Sequence, residues 1–316
     1  MEENFPSLSD IKRAHQRISK YIVRTQIMTS HSINDFVGAE IFFKCENFQK
    51  VGAFKMRGAT NVIMSMRPEE RVNGFATHSS GNHAQAVALA SKLAGTKAFI
   101  VMPKNAPEVK KKAVLGYGAE VVFCEPNEQS REKACKEIIE KTGAIFIPPF
   151  QDERIIAGQA TAAKEFIEDI HDLNYIITSV GGGGLAAGTA LAANYVSPTT
   201  KVILGEPEKA DDTYRSFKSG KLQTANNPKT IADGLLVSVG KLNFEIIKSY
   251  VDDVVTVTEE EIVSAMRVIW ERMKIIIEPS SAVAVAVVFK ERDRFKDKKV
   301  GIIITGGNVD LGNLPF

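Results

Sequence analysis

The chain has 316 residues, of which 44% are hydrophobic, 25% charged and 8% aromatic. These ordinary values exclude a disordered, collagen-like, coiled-coil or disulfide-scaffold protein, and the length predicts two domains or one large one. Lysine and arginine together number 40, against 38 for aspartate and glutamate. This near balance gives no electrostatic reason to expect nucleic acid or a membrane surface as a partner.

The cysteines and the amino terminus indicate the compartment. Cys45, Cys124 and Cys135 are odd in number and form no CxxC pair, so neither a disulfide framework nor a thiolate zinc site is indicated. The first residues lack the apolar core of a signal peptide, and no run of about 18 apolar residues occurs. We therefore expect a cytoplasmic protein.

The secondary-structure pattern alternates strands and helices. Apolar runs rich in β-branched or aromatic residues predict strands at 41–45, 74–78, 97–102, 120–124, 144–147, 175–180, 202–206, 254–257 and 300–305. Helical periodicity predicts helices at 82–93, 107–115, 130–141, 155–170, 185–194, 259–272 and 280–289. The strands are apolar almost throughout, so the fold class is α/β, with open, mostly parallel sheets flanked by helices. Ligands of such sheets bind beyond the carboxyl ends of the strands.

The first unusual turn follows strand 41–45 and contains Lys50, Phe54, Lys55 and Arg57. An arbitrary lysine is usually a solvated surface charge. Lys55, however, follows Phe54 and precedes an apolar helix, where loss of water would lower its pKa and free its amine as a nucleophile. We expect Arg57 to anchor the loop through a carboxylate or a backbone carbonyl.

The second turn, residues 79–83, offers hydroxyls, an amide and backbone N–H groups at a helix N-terminus, which suits a carboxylate ligand. The alternative is a simple helix cap. No second histidine stands at ligand spacing from His83, so we predict no zinc site.

Four consecutive glycines, Gly181, Gly182, Gly183 and Gly184, separate strand 175–180 from the next helix. Without Cβ atoms, their N–H groups can surround an anion, so we interpret them as a phosphate cup rather than a flexible loop. No Gly-Lys-Ser/Thr follows, which excludes a Walker A loop, and the spacing is not the dinucleotide fingerprint.

An acidic turn at 206–212 follows strand 202–206. Its carboxylate and carbonyl oxygens could bind a hard divalent cation, although an isolated turn of this kind is more often simply solvated.

These turns, in this order, resemble those of the tryptophan-synthase-β-like (fold type II) pyridoxal-phosphate enzymes, in the branch that contains serine racemases and threonine/serine dehydratases. The resemblance implies two domains: a large one from residues 1–73 and 148–316, which includes the phosphate cup, and a small mobile one from residues 74–147. It implies that Lys55 holds the cofactor covalently and that the four glycines bind its phosphate. Phe54 would pack near the cofactor ring, Asn82 would bind its 3′ oxygen and Thr305 would face its nitrogen, with Asp310 left open as an alternative.

The same resemblance places the substrate carboxylate on Ser79, Ser80, Gly81, Asn82 and His83, near Arg131. Ser80 matches the serine that acts as the second-face acid in serine racemases. This favours a racemase that interconverts L- and D-serine, with side β-elimination of L-serine or L-threonine to a 2-oxo acid and ammonia. The alternative within the branch is a dedicated threonine/serine or 3-hydroxyaspartate dehydratase.

Further expectations also follow from the resemblance alone. A divalent cation (Mg²⁺, Ca²⁺ or Mn²⁺) would bind Glu206, Ala210 and Asp212, and ATP as an activator would bind Lys50, Gln85 and Tyr117 in a homodimer. Two readings of other classes stay open on the sequence, namely a nicotinamide-dependent oxidoreductase and a non-catalytic binding protein. The glycine spacing disfavours the first.

Overall fold

The computed structural model describes residues 5–106 and 108–316, which form two open sheets flanked by helices. The strands are β1 (Ile27–Met28), β2 (Glu40–Cys45), β3 (Phe75–His78), β4 (Ala98–Pro103), β5 (Glu120–Cys124), β6 (Ile145–Phe146), β7 (Tyr175–Ser179), β8 (Lys201–Pro207), β9 (Asp253–Val257) and β10 (Lys299–Ile304). The helices are α1 (Leu8–Ile18), α2 (His31–Val37), α3 (Lys55–Ser65), α4 (Asn82–Leu93), α5 (Glu108–Gly116), α6 (Glu128–Thr142), α7 (Glu153–Asp169), α8 (Gly184–Val196), α9 (Asp212–Ser219), α10 (Lys241–Tyr250), α11 (Glu259–Met273), α12 (Pro279–Lys290) and α13 (Arg292–Phe295).

The larger sheet has the strand order β1-β2-β10-β7-β8-β9. Its strands are parallel apart from β1, which pairs antiparallel with β2. Successive residues of one strand enter different cores: Ile177 packs with α11 and α12 on one face, and Ile176 packs with α7 and α8 on the other. Both faces are therefore covered, which explains why the strands are apolar throughout.

The smaller sheet is entirely parallel, with the order β5-β4-β3-β6. One of its faces packs Phe75 and Ile100 against α3 and α4, and the other packs Ala76 and Val101 against α6. Strand β6 has only two residues, and the chain beyond it returns to the larger sheet through 147–152. The carboxyl ends of both sheets meet at one cleft.

The predicted strands and helices are confirmed with small shifts at their ends. The predicted helix 107–115 starts at Pro107, which lies outside the described residues, and the structure has this helix from Glu108. The pattern missed β1, which is two residues long, and the prediction gave no bounds for α1, α2, α3, α9, α10 and α13. No helix in the described ranges is long and apolar enough to cross a membrane.

Candidate active site

The cleft between the two sheets has a volume of about 660 Å³. Most residues predicted from the separate turns line it: Phe54, Lys55, Ser79, Ser80, Gly81, Asn82, His83, Arg131, Gly181, Gly182, Gly183, Gly184 and Thr305. The turns are far apart in the chain, and the shared carboxyl edge of parallel strands brings them together.

Lys55 is the first residue of α3 and faces the cleft. Its Nζ donates a hydrogen bond to the carbonyl oxygen of Pro149 at 2.7 Å and lies 5.3 Å from the centre of the Phe54 ring. Burial lowers the pKa of Lys55 to about 8, against a smaller opposite effect of the Glu278 carboxylate. The amine is thus uncharged in a large fraction of molecules at slightly alkaline pH, as a nucleophile or a proton acceptor requires.

The glycine turn opens α8, where the first N–H groups of a helix have no intrahelical acceptor. Gly183 has φ +88°, a left-handed conformation that favours glycine, and a Cβ on Gly182 would lie 2.2 Å from the Phe150 ring. Asn243 supports the turn from α10, because its Nδ2 donates to the carbonyl oxygen of Gly182 at 2.5 Å. These contacts hold the turn in one conformation at the start of α8, where its N–H groups could bind an anion.

Thr305 directly follows β10, is 3% exposed and lines the cleft. Its Oγ1 lies 2.9 Å from the Oγ of Ser281, so a neutral pair of hydroxyls stands at this wall. The backbone N–H of Phe54 donates to the carbonyl oxygen of Thr305, which joins the Lys55 turn to the same wall. Asp310 is exposed and its Oδ1 accepts from the N–H of Gly312, so this carboxylate points away from the cleft lining.

Asn82 begins α4 and connects the two sides of the cleft. Its Nδ2 donates to Oε1 of Glu278 at 2.9 Å, while its Oδ1 accepts from Nδ2 of Asn308 at 2.8 Å. These two contacts fix the orientation of the amide. Burial and the nearby charge of Asp233 raise the pKa of Glu278 to about 8.

His83 is buried and its Nε2 lies 3.0 Å from the carbonyl oxygen of Ile147. A carbonyl can only accept, so Nε2 carries the proton. Burial, followed by the charge of Lys55, lowers the pKa of His83 to about 3, and the ring is neutral. No group of three or more metal-ligating side chains occurs in the described part of the chain.

The acidic turn lies at the end of β8, next to the glycine turn. Glu206 and Asp212 are each 1% exposed. Burial and the charge of Asp212 raise the pKa of Glu206 to about 8, and burial raises the pKa of Asp212 to about 6. Asp212 accepts from the N–H of Val239, and the N–H of the next residue, Gly240, donates to the carbonyl oxygen of Gly182. The acidic turn therefore supports one edge of the glycine turn.

The predicted nucleotide residues do not line the cleft. Gln85 is buried on α4, and Tyr117 lines a separate groove of about 690 Å³ that includes neither Lys50 nor Gln85. The turn that carries Lys50 and the helix that precedes Tyr117 both pack against α4.

The sequence reasoning missed several residues of the cleft. Pro149, Glu278 and the ion pair of Lys110 with Asp233 were not singled out, nor was Ser281, which contacts Thr305 from behind the cleft lining. Glu278 directly precedes Pro279 at the first position of α12, and an acidic residue at a helix start usually signals only a favourable dipole interaction. No local sequence pattern distinguishes an exposed carboxylate at a helix start from a buried one such as Glu278.

The comparisons with known proteins decide the family. The model of the family described as "Pyridoxal-phosphate dependent enzyme" matches residues 18–306. The chain belongs to this family of pyridoxal-phosphate dependent enzymes. It is 52% identical to a serine racemase of Dictyostelium discoideum, over 98% of this chain and 96% of that protein. The crystal structure of that racemase superposes with a TM-score of 0.92, covering 96% of this chain and 99% of the other.

A β-hydroxyaspartate dehydratase of Paracoccus denitrificans is 46% identical, over 98% of this chain and 99% of that protein. The resemblance inferred from the turns and the fold type II architecture are confirmed, and so is the expectation of a pyridoxal-phosphate enzyme. The nicotinamide-dependent and non-catalytic readings are wrong.

Proposed function

We propose that the chain is a serine racemase that also eliminates water from L-serine or L-threonine to give a 2-oxo acid and ammonia. The observation that carries this proposal is the presence of Lys55, whose pKa burial lowers, and the hydroxyl of Ser80 in one cleft that the glycine turn at the start of α8 also lines. The similarity to the Dictyostelium racemase supports the racemase reading.

The residues of the cleft fit pyridoxal phosphate. Lys55 would bond to its aldehyde, residues 181–184 would bind its phosphate through backbone N–H groups, and the Thr305 hydroxyl would face its ring nitrogen. Asn82, with its amide orientation fixed, would hold the 3′ oxygen and Phe54 would pack near the ring. When bound, the cofactor supplies an electron sink for the bond that breaks at the α carbon.

The protein groups would then perform the proton transfers. The amine of Lys55 takes the α proton on one face of the amino acid, which its lowered pKa favours. The hydroxyl of Ser80 delivers a proton on the other face. Backbone N–H groups at 79–83, at the start of α4, hold the substrate carboxylate, and Arg131 stands beside them in the cleft.

Replacing Lys55 tests the cofactor assignment. Purified Lys55→Ala should lose the visible absorbance of the bound cofactor and both activities, because no amine remains to bond the aldehyde. The matched control is Lys104→Ala, an exposed lysine paired with Glu125, which should keep the spectrum. Retention of the visible band by Lys55→Ala would contradict the proposal.

Replacing Ser80 separates the two activities. Chiral analysis of serine after incubation should show D-serine formed from L-serine by the wild type. Ser80→Ala should lose racemisation to a greater extent than elimination of L-serine, because only racemisation needs an acid on the second face. An equal loss of both activities would refute the role of Ser80.

A dedicated 3-hydroxyaspartate dehydratase is the second candidate. Arg131 favours it, because in the described residues it lines the cleft without a hydrogen-bonded carboxylate and could bind a second carboxylate of the substrate. The similarity to the Paracoccus dehydratase points the same way. This candidate predicts oxo-acid formation from 3-hydroxyaspartate and no D-serine from L-serine.

A divalent cation fits the acidic turn. Glu206 and Asp212 are buried carboxylates, the charge of Asp212 raises the pKa of Glu206, and no cationic side chain pairs with Glu206 in the described residues. A cation held by these two groups and the carbonyl oxygen of Ala210 would remove that repulsion. We include Mg²⁺, Ca²⁺ or Mn²⁺ at this position in the proposal.

The remaining parts of the proposal rest on family resemblance. ATP would activate through Lys50, Gln85 and Tyr117 in a homodimer, and the small domain of residues 74–147 would close over the substrate against the large domain of residues 1–73 and 148–316. The buried free thiols of Cys45, Cys124 and Cys135 favour the reducing conditions of the cytoplasm.

A further inference from the structure

The carbonyl oxygen of Ile147 is held by two buried side chains. Thr77 Oγ1 donates to it at 2.9 Å and His83 Nε2 donates at 3.0 Å. Thr77 is wholly buried on β3, and His83 is 3% exposed on α4. The N–H of Ile147 donates to Ala76 as the last contact of the β3–β6 ladder. The chain is thus pinned on both sides where it leaves the smaller sheet.

Two prolines follow this pinned residue. Pro148 and Pro149 have φ angles fixed by their rings, so little rotational freedom separates Ile147 from the carbonyl of Pro149. That carbonyl accepts the hydrogen bond of Lys55 Nζ at 2.7 Å. The next residue, Phe150, packs against the glycine turn and its carbonyl oxygen accepts from Asn243. The segment is therefore fixed at both ends.

We propose that Thr77 is a positioning residue for Lys55: it anchors residues 147–149 so that the carbonyl of Pro149 receives the ε-amine whenever the amine is not bonded to the cofactor. This inference rests on the proposed role of Lys55. During turnover the lysine must leave the cofactor and return, and a fixed acceptor would keep its nitrogen within reach.

The expected consequence of losing Thr77 has a definite sign. A carbonyl acceptor stabilises the ammonium form of a lysine more than its neutral form. The titratable groups that face Lys55 are Glu278, which directly precedes α12 and whose charge favours the ammonium, and His83 on α4, whose ring is neutral. His83 shares the Ile147 carbonyl with Thr77 but its ring stays neutral, and Glu278 makes no hydrogen bond with Thr77 in the described residues. A displaced Pro149 carbonyl should therefore lower the pKa of Lys55.

The test follows the titration of Lys55 in the full-length chain after removal of the cofactor with hydroxylamine. An amine-selective acylating reagent is applied across a pH series, and the extent of Lys55 modification is read by peptide mass spectrometry. Thr77→Val should lower the apparent pKa by about 0.5 pH unit or more. Thr77→Ser keeps a hydroxyl and should titrate as the wild type does.

The matched control is Thr178→Val. Thr178 is a wholly buried strand threonine whose Oγ1 has no hydrogen-bond partner in the described residues, so this change removes the same hydroxyl without releasing a carbonyl. Lys55 should titrate there as in the wild type. If Thr77→Val does not fold, the pair Thr77→Ala and Thr77→Ser carries the same comparison.

Identical titration of Lys55 in the valine or alanine variant and in the wild type would overturn the positioning role. An equal shift in Thr178→Val would also overturn it, because the effect would then be general loosening of the fold. The titration uses no cofactor and no activity, so its outcome is separate from that of the Lys55→Ala spectrum, which tests the proposed function.

Discussion

Lys55 and Arg57 lie two residues apart on α3, and their pKa values are shifted in opposite directions. Arg57 is wholly buried, and its guanidinium contacts Glu46 at 2.7 Å and Glu165 at 2.8 Å. Burial alone would lower the pKa of Arg57, but these two carboxylates outweigh it and raise that pKa. In the described part of the chain, Lys55 forms its side-chain hydrogen bond with a neutral carbonyl and no ion pair, and its pKa falls to about 8.

The surroundings of Arg57 form a closed electrostatic cluster. Lys44 also contacts Glu165, at 2.8 Å, so two cations face two carboxylates with almost no exposure to water. The members come from β2, the turn after it, α3 and α7. Arg57 is thus anchored through carboxylates, as predicted, and the cluster holds the start of α3, on which Lys55 lies. Lys55 itself has no salt-bridge partner in the described residues. The paired charges around Arg57 stabilise the scaffold, whereas the Lys55 amine can change its protonation state.

Arg57→Met should lower the free energy of unfolding, whereas Lys55→Met should leave it unchanged or raise it. Arg57→Met leaves Glu46 and Glu165 buried beside a single cation and should lower the free energy of unfolding by about 3–5 kcal/mol. Lys55→Met removes a charge that burial disfavours below pH 8 and should leave the cofactor-free protein as stable as the wild type or more so. Urea unfolding of both variants at pH 7 measures these free energies. A similar loss of stability in both variants would contradict the proposed difference between Arg57 and Lys55.

The comparison extends to two buried carboxylates with opposite pH behaviour. Burial would raise the pKa of Glu165, but hydrogen bonds from His15 and Arg57 and the nearby cations hold that pKa well below 4.5. Its contribution to stability is present above pH 4.5 and is lost as the pH falls further. Burial and Asp233 raise the pKa of Glu278 to about 8. The folded state then retains a proton that the unfolded chain releases, so this contribution falls as the pH rises from about 4.5 to 8.

Two glutamine variants separate these contributions. Relative to the wild type, Glu278→Gln should gain stability between pH 5 and pH 8, because it has no carboxylate to ionise. Glu165→Gln should show a deficit that is constant over this range and narrows below pH 4.5. Urea unfolding at pH 3.5, 5 and 8 measures all three proteins. If the free energies of unfolding of the wild type and Glu278→Gln change in parallel from pH 5 to pH 8, then Glu278 is already ionised in the folded state.

The cleft around the unpaired Lys55 could be predicted from the sequence, whereas the ion-pair partners of Arg57 could not. The glycine turn, Lys55 and the 79–83 turn were predictable because each carries unusual residues at a strand end, and parallel topology brings strand ends together. The partners of Arg57 were not, because Glu46 and Glu165 stand in ordinary amphipathic patterns 119 residues apart. Pro149 acts through its carbonyl oxygen, which every residue has, so no side-chain pattern marks it.

The smallest expected effect concerns the glycine turn, residues 181–184, which has no charged side chain. Gly182→Ala would place a methyl group 2.2 Å from the present position of the Phe150 ring, so the ring and the phosphate cup must shift. Forcing a methyl group into a packed site costs about 1–3 kcal/mol, and the dissociation constant of pyridoxal phosphate should rise about tenfold or more. Absorbance titration of the cofactor-free protein measures this constant. Gly116→Ala is the control, since nothing lies within 4 Å of the added carbon. Unchanged binding in Gly182→Ala would mean that Phe150 moves freely, and the rigid support inferred for residues 147–150 would then fail at this end of the segment.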